Sequence, residues 1–300
     1  MAVEKTLPQK SSIRSRILAE VRNKDLEIPT LPESNARLEM ISEQEVIDIK
    51  KFTGVLAGDP GVASQLIQVA NSAPYAGQRS VGSIGVAIKR LGLRYAAELA
   101  AGLASRQVFQ PTNEMIERRY RLAVADATFV AAAAAVFARN YTEISPERAR
   151  LAGLVHNLGV FPILAQAEYE NYTDTFALGT IVEAVQVVLS STLLTRLKFP
   201  KEVAEIPRRI SEHQRTSAEL GLLDLVAVAV RLNRCFNRSE SDDQNSEIRV
   251  ATVRRPKISQ SLAMLIYEIA GYDPLANAGQ VMLLQDEINS EIGDWKVRET

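Results

Sequence analysis

The sequence predicts an all-α protein, and three observations carry that reading. Nearly every periodic segment repeats its apolar residues at the 3–4 spacing of a helix, and the alternation of a strand is scarce. Helix-starting and helix-ending residues recur between these segments. No repeat of 20–50 residues is visible, which argues against a solenoid. With 300 residues, 46% hydrophobic and 24% charged, the chain is long enough for one large or two medium domains around a sizeable core.

The elements follow in order. Ile13 to Asn23 reads as a short amphipathic helix, and the Pro-punctuated connector "LEIPTLPES" separates it from a second helix near Glu33. Asp59-Pro60 opens another, with Asp positioned to cap free amides and Pro suited to the first turn. Its apolar face is Val62, Leu66, Val69 and Ala70. "NSAPYAGQRSVGS" is a long turn in which Asn71 and Ser72 can satisfy the preceding helix end. Ser83 then caps "IGVAIKRLG", which stops at Gly92. Residues 93–109 and 116–140 are helical; the run Ala131–Ala135 belongs to a helix that can be approached closely, since alanine is both a strong helix former and small. Ser145-Pro146-Glu147 opens the helix leading into "LAGLVHNLGV" at 151–160. Later helices are expected at 180–197, 201–214, 219–237, 258–271 and 274–293, with "NRSESDDQNSE" as a polar surface loop.

Composition excludes several function classes. Lys and Arg number 35 against 36 Asp and Glu, a net charge of −1, so no global field attracts nucleic acid or anionic lipid. The basic stretch "RVATVRRPK" at 249–257 is at most a local patch beside an acidic loop. Cys235 is the only cysteine, so no intrachain disulfide can form, and a reducing, cytoplasmic setting is expected. The longest uninterrupted apolar run, Phe129 to Ala138, is far short of the roughly 18 residues of a membrane span. No apolar stretch of a signal peptide occurs near Met1. There is no Gly-rich phosphate loop, no nucleophile elbow and no Cys/His cluster with zinc spacing. Asp242-Asp243 reads as solvated loop charge.

The block at residues 59–104 closely resembles the HDOD domain, a bacterial signalling module related to HD-type metal-dependent phosphohydrolases. The residues that carry the resemblance are Asp59-Pro60, "ANSA" at 70–73, Ser83-Ile84, Ala87-Ile88 and Leu91-Gly92; it continues through "LAGLVHNLG", "LKFP" at 197–200 and "ISEHQ" at 210–214. It implies a helical bundle of HD-like architecture and loss of the catalytic metal site. By position, Tyr120 stands where a related hydrolase carries its first His, and His156-Asn157 replaces the His-Asp pair. Gln186 stands at a later His position, His213-Gln214 replaces a two-His pair, and Val230 replaces a final Asp.

Elementary coordination chemistry agrees. A hydrolytic metal needs about three protein ligands and an open water position, with anionic oxygens for a hard ion. Asn157 is neutral, and His156 and His213 are the only histidines. His156 lies one turn beyond Ala152 and Gly153 and can tuck against backbone. His213 continues the stripe Val203, Ile206, Ile210 and is expected to face inward. Three readings stand: a satisfied core pair, a small-molecule pocket, and a functional metal.

The organisation expected is an N-terminal extension at 1–25, an HDOD-type domain at 26–215 and a C-terminal helical lobe at 216–300. The function expected is non-catalytic signal transduction by binding a signalling protein, with a small-molecule or nucleotide ligand as an option. No cofactor, membrane or nucleic acid is expected. Tyr75 and Arg79 are the candidate partner contact. The alternative is a divergent HD-type phosphohydrolase acting on a nucleotide or cyclic dinucleotide. No receiver or cyclase domain is visible, so a signal is expected to arrive through a partner or ligand.

Overall fold

A computed structural model describes residues 28–75, 77, 79–210, 220–241 and 278–293. Among them there are twelve α-helices and no strand, beyond one isolated parallel bridge between Thr30 and Val108. The expected helices at 13–23 and 258–271 lie outside the described residues, as do His213, Asp242-Asp243 and the basic stretch 249–257.

The first half is a cluster of short helices: α1 (Pro32–Ser42), α2 (Ile49–Ala57), α3 (Pro60–Ala70), α4 (Ile84–Leu91) and α5 (Leu93–Arg106). Asp59 caps α3 as its position predicts, accepting from the amides of Gly61 at 3.0 Å and Val62 at 3.1 Å. Its other oxygen accepts from Leu31 N at 3.1 Å. Burial pushes the Asp59 carboxyl above its ordinary pKa, and these amide bonds oppose that shift. The Pro-punctuated connector is not a free linker. Ile28 to Thr30 are buried, and Thr30 exchanges backbone bonds with Gln107 and Phe109. Gly61 is required there, because a Cβ would lie 2.5 Å from Pro29 O.

The long turn after α3 is closed by Asn71. Its Oδ1 accepts from Val81 N at 2.7 Å, and its Nδ2 donates to Lys198 O at 3.1 Å. The "ANSA" and "LKFP" segments, 127 residues apart, are thus held together by one buried amide. Ser83 caps α4 through Val86 N, and Gly92 supplies the φ of +88° that ends it.

The second half is built around α6 (Glu114–Tyr141), a 28-residue spine whose residues 130–138 are all buried. Packed on it are α7 (Pro146–Leu154), α8 (Val160–Tyr169), α11 (Leu222–Ser241) and α12 (Ala278–Gly293), while α9 (Thr175–Arg196) and α10 (Lys201–Ile210) pair beside α8 and α11. The alanine run explains the tightest crossing: a Cβ on Gly153 of α7 would sit 2.7 Å from Ala131 Cα. The last helix is fastened by Glu291, which pairs with both Arg139 of α6 and Arg150 of α7.

Three expectations are revised. Ile49–Ala57 and Val160–Tyr169 are separate helices that the apolar spacing did not single out. Residues 237–241 continue α11 instead of opening a polar loop, since Arg, Ser and Glu are as compatible with a helical turn as with a loop. Counting unbroken apolar runs also understated two helices. Glu114–Tyr141 and Thr175–Arg196 are long and apolar enough to cross a membrane by length and composition alone. Within those windows 61% and 50% of the residues are buried inside the protein, where the helices pack as bundle elements.

Candidate functional site

The turn "VHNLG" at 155–159 joins α7 to α8 and is fixed at both ends by glycine. Gly153 presses α7 against the backbone of Val130 and Ala131. Gly159 lies against α9, where a Cβ would meet Ser190 N at 2.7 Å and Gln186 O at 2.8 Å. Its amide donates to Ser190 Oγ at 2.8 Å. No side chain larger than hydrogen fits at either position, so the five residues between them, His156 and Asn157 included, are held in a set direction.

His156 tucks back on its own helix end, as its spacing predicts. Its Nδ1 lies 2.6 Å from Gly153 O. A carbonyl only accepts, so Nδ1 carries the proton and Nε2 keeps the lone pair in the neutral ring. Burial pulls the imidazole below its ordinary pKa, with the Arg234 charge adding to that; the Gly153 bond and the Asp126 charge act the other way. Asn157 Nδ2 donates to Ala123 O at 3.0 Å. Its Oδ1 is buried and has no hydrogen-bond partner among the described residues.

Both residues line a cavity of about 510 Å³ between α6, α8, α9, α10 and α11. Gln186 and Val230, read from the sequence as substituted ligand positions, line the same cavity. Tyr120 does not. Its hydroxyl donates to Pro29 O at 2.7 Å, and its ring packs 4.5 Å from Phe109 and 5.1 Å from Phe161 on a different face of α6. Burial raises its pKa well above the ordinary value, with the Asp59 charge adding to it, so the phenol stays a neutral donor. The cavity face of α6 is instead Arg119, Leu122, Ala123, Asp126 and Val130. That stripe has helical spacing and is legible in the sequence, one residue away from the expected ligand position Tyr120.

Three further cavity residues went unnoticed in the sequence: Asp126, Asn233 and Arg234. Asn233 Nδ2 donates to Asp126 Oδ1 at 2.8 Å, tying α11 to α6. Arg119 Nη2 donates to Thr175 O at 2.9 Å at the start of α9. Among the described residues no three His, Cys, Asp or Glu side chains converge as metal ligands.

The candidate partner turn is less open than its composition suggests. Tyr75 is half-buried against the core, with its ring 5.8 Å from that of Tyr95. Arg79 is exposed, and its carbonyl accepts from Arg90 Nη2 at 2.8 Å. The two residues are therefore not equivalent: one is packing, the other surface.

A family model described as the HDOD domain matches residues 28–213. The response regulator MmoQ from Methylococcus capsulatus str. Bath aligns at 17% identity over 84% of this chain and 97% of its own, with a TM-score of 0.63. A virulence factor from Campylobacter jejuni subsp. jejuni aligns at 15% identity over 98% and 100%, with a TM-score of 0.58. A protein of Shewanella amazonensis SB2B carrying the name of a metal-dependent phosphohydrolase aligns at 21% over 96% and 99%, with a TM-score of 0.51. At these identities the likeness is one of fold. No curated protein matches the sequence.

Proposed function

Because the chain belongs to the HDOD domain family, we propose that it is a regulatory protein of signal transduction that works by binding and not by catalysis. The observation that carries this reading is the composition of the cavity at the His156 turn. The place of the metal-bridging acid holds the Asn157 amide, whose nitrogen is committed to Ala123 O. Gln186 and Val230 flank it, and His156 has one ring nitrogen committed to Gly153 O. Among the described residues, Arg119 and Arg234 line the same space and oppose a divalent cation, against one acidic residue, Asp126. A hard metal in this setting would lack both ligands and charge balance.

The test is elemental analysis of the purified full chain together with nucleotide-hydrolysis assays on the wild type and Asn157→Asp. Metal well below one per chain and no hydrolysis in either protein are expected. A stoichiometric transition metal that is lost in His156→Ala, or hydrolysis gained in Asn157→Asp, would overturn the reading in favour of a divergent phosphohydrolase.

A further inference from the structure

We infer that the cavity at the His156 turn is a binding site for a small organic anion that also donates N–H hydrogen bonds, an inference that rests on the non-catalytic reading above. Its volume of about 510 Å³ falls in the range of about 300–1,000 Å³ in which proteins hold small molecules.

The polar atoms define what fits. Asn157 cannot turn its amide over, because that would set Oδ1 against Ala123 O, acceptor to acceptor. Its Oδ1 therefore stays buried and unpaired, and a buried acceptor without a donor is costly. His156 Nε2 is a second acceptor on the same turn, since Nδ1 is the protonated nitrogen. Acceptors from two residues of one turn, both lining the cavity, call for a ligand that presents N–H groups.

The charges define the other end. Arg119 is anchored at one rim through Thr175 O, and Arg234 projects from α11 at another. Asp126 offsets one of them and is itself bonded to Asn233. Among the described lining residues the balance is positive, which favours a carboxylate or phosphate and opposes a metal dication. Between the two ends Val160, Leu164, Val182 and Val230 give an apolar wall suited to a ring or a branched chain. A purely apolar ligand would leave Asn157 Oδ1 without a donor.

The test is thermal and calorimetric titration of the full chain with AMP and with phenylalanine, the first offering a phosphate and the second a carboxylate. Adenosine and inorganic phosphate serve as controls that each lack one half of the recognition. AMP or phenylalanine is expected to raise the melting temperature in a dose-dependent way, with the controls at least about tenfold weaker. Arg119→Ala and Arg234→Ala should each weaken that binding about tenfold or more. Val182→Trp should fill the cavity and abolish binding while the protein stays folded. No response to AMP or phenylalanine at millimolar concentration, or binding that survives Val182→Trp in a folded protein, would overturn the proposal. The same AMP samples are assayed for released phosphate. Hydrolysis would sink the non-catalytic reading and leave the anion site standing, whereas no binding and no hydrolysis would do the reverse.

Discussion

Gly153→Ala is expected to destabilise the protein by about 2 kcal/mol, and the reason is the crossing of α7 over α6. An added Cβ would lie 2.7 Å from Ala131 Cα and Val130 O and 2.8 Å from Ala131 N, all backbone atoms that no side-chain rotation can move. Carbon atoms pack at about 3.5–4.0 Å, so the two helices must separate by most of an ångström. Overpacking of this kind costs about 1–3 kcal/mol, and contact with backbone on the far side places it near the upper end. Alanine recovers about 1 kcal/mol over glycine within a helix, which leaves the net value. Gly102→Ala is the internal control. That residue is also inside a helix, but nothing lies within 4 Å of a Cβ there, so the same substitution should stabilise by about 0.5–1 kcal/mol. Urea unfolding followed by far-ultraviolet circular dichroism reads both, with melting expected about 3 °C lower for Gly153→Ala. If Gly153→Ala unfolds at or above the wild-type midpoint while Gly102→Ala behaves as expected, the crossing is looser than described. The rigid placement of the His156 turn would then lose its main support.

Two other outcomes are accessible with single variants. Burial holds the folded-state pKa of His156 below the ordinary 6.5, so in the window beneath 6.5 the unfolded chain takes up a proton that the folded chain refuses. The stability contributed by the neutral ring is full above about pH 6.5 and is lost as pH falls through the folded value, at up to about 1.4 kcal/mol per pH unit. Denaturation at pH 7.5, 6.5 and 5.5 should therefore show a shallower acid decline for His156→Gln than for wild type. His213 is common to both and cancels in the difference, and a steeper decline in the variant would mean that the imidazole is charged in the fold. At the turn after α3, Arg79→Ala should change stability by less than about 0.5 kcal/mol, because the fold uses its carbonyl. Tyr75→Ala should cost about 1–2 kcal/mol through lost packing on the core and on Tyr95. Capture of the native partner that weakens in the stably folded Arg79→Ala protein would support this turn as a contact. Unchanged capture would move the contact elsewhere.

Much of the helical order was legible locally. Asp59, Ser83 and Gly92 act at helix ends because capping depends on residues two or three positions away, which a sequence displays directly. His156 could be placed against its own helix end for the same reason, as its partner is three residues back. The "ANSA" and "LKFP" segments could be recognised but not joined, since the Asn71 bond spans 127 positions. The cavity was legible only in part. Asn157, Gln186 and Val230 were found by position, whereas Tyr120 faces Pro29 and its neighbour Arg119 faces the cavity. One residue is a rotation of about 100° on a helix, and composition does not say which face of a spine apolar on several sides meets which neighbour. Asp126, Asn233 and Arg234 belong to the site because α11 lies across α6, a pairing set by long-range packing alone. The sequence by itself determined which residues start and stop helices and that the residue after His156 is an amide, with no acid there. Only the tertiary structure decided what surrounds that absence, because a cavity is made by faces of helices far apart in the chain, and their meeting is fixed by how closely backbones can approach at Gly153 and Gly159.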